Sequence, residues 1–322
     1  MVSMALTVIA PAYGGPEVLV LADEPVAAPG PGQARIDVRA AGVNPVDYKS
    51  YSGRMGADPA RLPLHLGSEA AGVITAVGAG AAGPAGPLAA GDEVIAFRAP
   101  GAYAAELLIP AGALVPKPPE LDWAQASGLM LTGVTAWHAL AATGVHEGDT
   151  VLIHGASGGV GTMAVQLAAA RGALVIATAS PARHEFLREL GATPVAYGDG
   201  LADRVRAAAS EGVDAALDLI GTDEAADVSL ELVADRGRIA TIVASRRAFD
   251  LGLKVLGGAP GADPGTEIRS AARLDLVRLA GEGRLRVFVS RTFPLADAAD
   301  AHRLIMGGHV SGKIALVVRA RA

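Results

Sequence analysis

Val151-Leu152-Ile153-His154 runs straight into Gly155-Ala156-Ser157-Gly158-Gly159-Val160-Gly161, and residues 162–170, rich in Ala, Met, Leu and Gln, follow at once. An apolar β-prone run, a glycine turn and a stretch of helix formers stand here in the order strand, turn, helix. Glycine suits the turn because the chain must bend sharply, let a pyrophosphate approach the backbone, and pack the helix close to the strand. Free N–H groups and the positive helix end then hold the phosphates. The alternative is an ordinary tight strand-to-helix turn, since 41 of the 322 residues are glycine and such turns are common.

Outward from this loop, strand and helix alternate. Residues 123–142 read as helical in two pieces, 150–154 as strand, 159–171 as helix, 174–178 as strand and 183–190 as helix. Strands at 193–197, 213–219 and 238–243 alternate with helices at 201–209 and 223–234. This spacing predicts a parallel, doubly wound sheet. Upstream, residues 7–10, 33–40, 70–77, 93–97 and 104–109 form short β-prone runs between Gly-Pro clusters such as Ala28-Pro29-Gly30-Pro31-Gly32, a β-rich domain. Downstream, a Gly/Pro-rich connection at 258–265 leads to a helix at 267–282, a strand at 285–293, a helix at 295–306 and a final strand at 313–319, expected to return to the first domain. The expected division is 1–122, 123–260 and 261–322.

The second strand of the doubly wound part decides which dinucleotide fits. An NAD site places Asp or Glu there for the ribose 2′-OH, whereas this strand ends Ala177-Thr178-Ala179-Ser180, with Arg183 three residues on. A carboxylate would repel a 2′-phosphate, and a guanidinium can pair with it for about 1.5–3 kcal/mol. NADPH is therefore the expected cofactor. Ser180 and Arg183 could also simply start the next helix, a role compatible with phosphate binding.

Composition narrows the chemistry. The absence of cysteine excludes disulfides, thiolate zinc sites, iron–sulfur clusters and a cysteine nucleophile. The 27 Lys and Arg against 33 Asp and Glu are scattered, which argues against nucleic acid as a partner. Residues 1–15 lack the charged start and apolar run of a signal peptide, so a cytoplasmic location is expected. Two uncharged stretches, 70–91 and 123–145, are broken by Gly-Pro pairs or carry polar residues, and read as core rather than membrane spans.

Further motifs flank the loop: Ala41-Gly42-Val43-Asn44-Pro45-Val46-Asp47, Leu66-Gly67-Ser68-Glu69-Ala70-Ala71-Gly72, Ala90-Gly91-Asp92-Glu93-Val94 and Leu131-Thr132-Gly133-Val134-Thr135-Ala136-Trp137. With residues 293–302 and Gly312-Lys313-Ile314, they give the chain a resemblance to the zinc-independent quinone oxidoreductase branch of the medium-chain dehydrogenase/reductase superfamily. The resemblance covers nearly the whole chain, in order. It implies an α/β fold, a GroES-like β-barrel catalytic domain with a Rossmann domain inserted and the cofactor in the cleft. Zinc-dependent relatives carry Gly-His-Glu where this chain has Gly67-Ser68-Glu69, and a cysteine near Asn44, so no metal is expected. A lone His65 reads as structural.

Carried over by residue, the resemblance implies that Gly158, Gly159, Val160 and Gly161 face the pyrophosphate and that Ser180 and Arg183 take the 2′-phosphate. Tyr197 resembles a tyrosine reaching that phosphate, although it stands one residue early. Asn44 and Thr135 would lie near the nicotinamide, and Ile242, Val243 and Ala244 would line its other side. Many quinone reductases have a tyrosine five residues after the Asn, where this chain has Lys49 between Tyr48 and Tyr51, so the substrate pocket is expected to differ.

Such a reductase positions a nicotinamide against its acceptor and excludes water. A quinone or α,β-unsaturated carbonyl gains negative charge on oxygen as it accepts hydride, and Asn44, Tyr48 and Lys49 are the candidate donors. Asp47 could equally be a helix cap, Lys49 an exposed charge, Tyr48 and Tyr51 packing residues, and His138, His154 and His184 structural groups. The leading expectation is an NADPH-dependent quinone reductase. An enone or enoyl reductase and a non-catalytic NADPH-binding protein are the competing ones. A homodimer is expected by analogy, with residues 238–243 and the apolar Phe249, Leu251, Leu253, Val255 and Leu256 as either contact or core.

Overall fold

A computed structural model describes residues 3–308 and 310–318. The chain forms two compact units. One takes residues up to Leu131, Leu274–Glu282 and the segment from Val287 onward, and the other takes Thr132–Arg273 with Gly283–Arg286.

The first unit is built on Gln33–Val43, whose residues alternate between inward and outward until the strand becomes buried on both faces near Ala41. Glu69–Val77, Glu106–Pro110 and Lys313–Val317 all pair with it antiparallel. Glu93–Phe97 and Leu114–Pro116 extend the sheet on one side, and Val289–Pro294 lies parallel to Lys313–Val317 on the other. The final strand pairs Ile314 with Val43 and Leu316 with Ala41, and the predicted end of that strand at Arg319 lies outside the described residues. A smaller sheet joins Val20–Val26, Ser3–Ala10 and Leu64–His65. Val20–Val26 is invisible to the hydrophobic pattern because its residues are exposed or half-exposed. Ile36, Val38, Ile74, Leu107, Ile109, Leu316, Tyr51 and Tyr103 share one buried cluster.

The second unit carries six strands in the order Ala192–Val195, Leu174–Thr178, Thr150–His154, Ala215–Asp218, Ile239–Thr241, Lys254–Val255, every adjacent pair parallel. Thr150–His154, at the centre, is buried throughout, as a strand covered on both faces must be. The strand order reverses beside it, the position at which doubly wound sheets bind ligands at their strand C-termini. Several strands are shorter than the pattern suggests. Residues 196–197 lie past the end of Ala192–Val195, and Arg236–Arg238 turns as a 3-10 segment before Ile239–Thr241, because Asp235 accepts a hydrogen bond from the Gly237 amide. Of the segment weighed as a contact surface, Leu253, Val255 and Leu256 are buried, so it is largely core. Among the described residues no helix is long and apolar enough to cross a membrane.

Candidate active site

The glycine loop leaves Thr150–His154 at Gly155, whose φ of +70° is open to glycine at no cost, and enters the helix Gly159–Ala170 with Gly158 as its N-cap. Gly161 is the position most constrained by close approach. A β-carbon there would stand 2.3 Å from the Gly155 carbonyl oxygen and 2.5 Å from that of Ala156. The first helical turn is thereby pressed against the loop, while Gly158 and Gly159 stay half-exposed at the helix start, the Gly158 amide donating to the Gly155 carbonyl at 3.1 Å. No side chain caps this terminus, so an anionic ligand can do so, and the cradle fits a dinucleotide pyrophosphate.

Polar residues cluster at the ends of the neighbouring strands. Thr241 donates to Asp218 Oδ2 at 3.0 Å, and Asp218 Oδ1 accepts from the Ile220 and Gly221 amides, shaping the turn after Ala215–Asp218. Buried His154 has its pKa pushed down by burial, and its Nε2 is a buried side-chain atom without a hydrogen-bond partner among the described residues. Ser180 begins the turn after Leu174–Thr178, and Arg183 is exposed at the end of that turn. Neither side chain makes a hydrogen bond or ion pair among the described residues, leaving both available to an anion. Tyr197 is exposed beyond the next strand, Thr135 is buried in the helix Met130–Ala142, and after Ile239–Thr241 come Ile242 and Val243, half-buried, and Ala244, exposed.

In the first unit, Asn44 is tied down on every side. Lys313 Nζ donates to Asn44 Oδ1 at 2.5 Å, and the Asn44 amide donates to Glu69 Oε1 at 2.9 Å and to the Gly42 carbonyl at 3.3 Å. Because an ammonium only donates, the amide orientation is chemically forced, and both Asn44 donors are already used. The side chain expected to donate to the acceptor is thus held by partners within the protein. Lys313 and Glu69 form a fully buried ion pair at 2.8 Å, and Glu69 Oε2 accepts from the Leu131 amide at 2.8 Å. Tyr48 and Lys49, on the helix Pro45–Tyr51, are half-buried and make no side-chain hydrogen bond or ion pair among the described residues.

Asp47 does cap that helix, accepting from the Asn44 backbone N–H at 2.8 Å, but it does more. Its Oδ2 also accepts from the Tyr103 hydroxyl at 2.9 Å, and its Oδ1 accepts from Ser68 at 3.0 Å. Since the single Tyr103 proton goes to the carboxylate, His302 must donate to Tyr103 through Nε2 (3.1 Å), and its Nδ1 accepts from Tyr51 (2.7 Å). Burial raises the Asp47 pKa to about 6 in spite of its hydrogen bonds, and burial lowers that of His302 to about 4. Gly67, at φ +93°, permits the arrangement: a β-carbon there would stand 2.7 Å from the Tyr103 amide nitrogen.

Among the described residues no group of three or more His, Asp or Glu could hold a metal. Glu69 is consumed by Lys313 and Asn44, Ser68 by Asp47, and His65 faces Glu24 at 2.5 Å in an exposed pair, so these positions do not fit zinc. The sequence pattern missed Ser68, Glu69, Tyr103, His302 and Lys313 as members of the site. A buried-pair signal was present in two of them, since Glu69 and Lys313 each open an otherwise uncharged strand with opposite charge.

Comparison with known proteins agrees with this architecture. The family described as alcohol dehydrogenase GroES-like domain matches residues 30–119, and that described as zinc-binding dehydrogenase matches residues 190–316. A quinone oxidoreductase of Rattus norvegicus is 32% identical over 320 residues, covering 95% of this chain and 94% of its own. The spectinabilin polyketide synthase system protein NorB of Streptomyces orinoci is 37% identical over 339 residues, 96% of this chain, which spans only 14% of that protein's length. The solved structure of Escherichia coli quinone oxidoreductase complexed with NADPH superposes with a TM-score of 0.83 at 27% identity, covering 97% of this chain and 99% of that one. Full-length identity above 30%, the GroES-like and Rossmann units and a glycine-loop cradle converge: the chain belongs to the zinc-independent quinone oxidoreductase branch of the medium-chain dehydrogenase/reductase superfamily.

Proposed function

We propose that the protein is an NADPH-dependent reductase of quinones and related activated carbonyl acceptors. The observation that carries the reading is the pairing of a glycine-loop cradle with an adjacent strand end that offers Ser180 and Arg183 and no carboxylate. Bound NADPH supplies the hydride. The protein's own residues hold the pyrophosphate at Gly158, Gly159, Val160 and Gly161, and pair the 2′-phosphate with Ser180 and Arg183, with exposed Tyr197 beside the same route. Thr135, Ile242, Val243 and Ala244 are assigned to the nicotinamide. Asn44, immobilised by Lys313 and Glu69, forms a rigid wall, and Tyr48 and Lys49 supply the uncommitted donors toward acceptor oxygen. The quinone oxidoreductases among its relatives support this acceptor class.

Reduction of an activated alkene is the second reading, favoured by the similarity to polyketide synthase proteins. Cofactor oxidation with 1,4-benzoquinone, a cyclic enone and an enoyl thioester separates the two. Quinone turnover is expected to be the fastest, and turnover of the thioester alone would overturn the quinone assignment. NADPH binding with no oxidation by any acceptor would favour a non-catalytic binding protein. A homodimer and a cytoplasmic location complete the proposal, and light scattering of a monomer at micromolar concentration would remove the first.

A further inference from the structure

We propose that Asp47, acting through the Ser68 hydroxyl, supplies the proton that accompanies the hydride. This rests on the reductase reading. The two carboxylate oxygens of Asp47 are committed differently. Oδ2 accepts from the Asn44 backbone N–H and from the Tyr103 hydroxyl, and Tyr103 is held in that orientation by His302, itself held by Tyr51. Two fixed donors already point at Oδ2, so a proton carried by Asp47 sits on Oδ1. Among the described residues the side chain bonded to Oδ1 is Ser68, which donates to it at 3.0 Å; with a proton on Oδ1 this bond reverses, Oδ1–H donating to Ser68 Oγ and freeing the Ser68 O–H. Ser68 is half-buried where Asp47 is fully buried, so its hydroxyl is the route by which the carboxyl reaches an acceptor.

The step balances. The acceptor gains hydride from NADPH, and its developing oxyanion or carbanion takes the Ser68 proton as the Ser68 O–H bond breaks. Protonated Asp47 passes its own proton to the Ser68 oxygen and is left as a carboxylate, stabilised by the Asn44 amide and Tyr103. Solvent reprotonates it after product leaves. The groups facing Asp47 are Ser68 and Tyr103, with Lys313 acting at longer range from the final strand, and Tyr51 and His302 behind Tyr103. Burial outweighs the donors and Lys313 and sets the carboxyl at about 6, within the range suited to a general acid.

The test uses the full chain with NADPH and 1,4-benzoquinone. Ser68→Ala is expected to lower kcat about 100-fold with little change in the KM for NADPH, and Ser68→Thr, which restores a hydroxyl, to recover most of it. In the wild type kcat should fall as pH rises through about 6. In Tyr103→Phe the fall should move to higher pH, because a donor to the carboxylate is lost. Carbon-13 NMR of side-chain-carboxyl-labelled aspartate reads the same displacement without turnover, with Asp47→Asn assigning the signal. Wild-type turnover with an unchanged kcat and pH profile in Ser68→Ala would overturn the relay and leave the reductase standing. Absence of turnover in the wild type with every acceptor would instead overturn the reductase reading and the relay with it.

Discussion

At the scale of single residues, the site depends on charges and close contacts that substitution exposes. Lys313→Met strands the Glu69 carboxylate in a buried position and is expected to cost about 3–5 kcal/mol, with Glu69→Gln in the same chain recovering a large part; urea unfolding of the single and double variants checks this. Equal stability of single and double variants would contradict the pair's role. Arg183→Ala should weaken NADPH binding about ten- to hundredfold and leave NADH binding unchanged, measured by titration calorimetry. These residues differ in how legible they were. Arg183 announces itself because it follows a strand end with no acid. Tyr103 and His302 do not, since Tyr103 meets Asp47 across 56 residues and His302 meets Tyr103 across 199, juxtapositions that only the folded chain creates. Asn44 was legible as a site position, but its role was not, because Lys313 arrives from the far end of the chain.

At the scale of elements, the glycine loop and its helix were readable at once, since a strand, a turn and a helix are adjacent in sequence and carry their own residue signature. The shortened strands were less so, because where a parallel strand ends depends on its neighbours: Ile239–Thr241 pairs only as far as Asp218 lasts. Gly161→Ala tests the loop's tightness. Its β-carbon would meet two carbonyl oxygens of the same loop, neither able to retreat as a flexible side chain could. We expect a destabilisation of about 1–3 kcal/mol together with loss of NADPH affinity, read by thermal unfolding with and without cofactor. A wild-type stabilisation by NADPH in this variant would contradict the assignment of the loop to the cofactor.

At the scale of the whole molecule, buried titratable groups shape the acid response, His302, His154 and Asp47 among them. His302 is lowered from 6.5 to about 4 and His154 is lowered as well, so each resists protonation when folded. As pH falls from 6.5 toward 4 the unfolded chain takes up these protons first, and stability is lost, on the order of 3 kcal/mol for a shift of this size. Asp47 acts in the opposite sense: raised from 3.8 to about 6, it takes up its proton first in the folded state and adds stability as pH falls through the same window. The urea midpoint should therefore decline between pH 6.5 and 4, and decline more steeply in Asp47→Asn, where the opposing contribution is gone. A midpoint independent of pH in both proteins would contradict this. The change from short β-prone runs to alternating strands and helices pointed to two units, while the return of Lys313–Val317 to Gln33–Val43 is a long-range pairing that local periodicity only suggests. The central claim, hydride transfer from NADPH, is tested most directly by kcat/KM for NADPH and NADH measured side by side on the wild-type protein with 1,4-benzoquinone. The account predicts a preference for NADPH of at least about tenfold; an equal or greater value for NADH, or oxidation of neither, would contradict it.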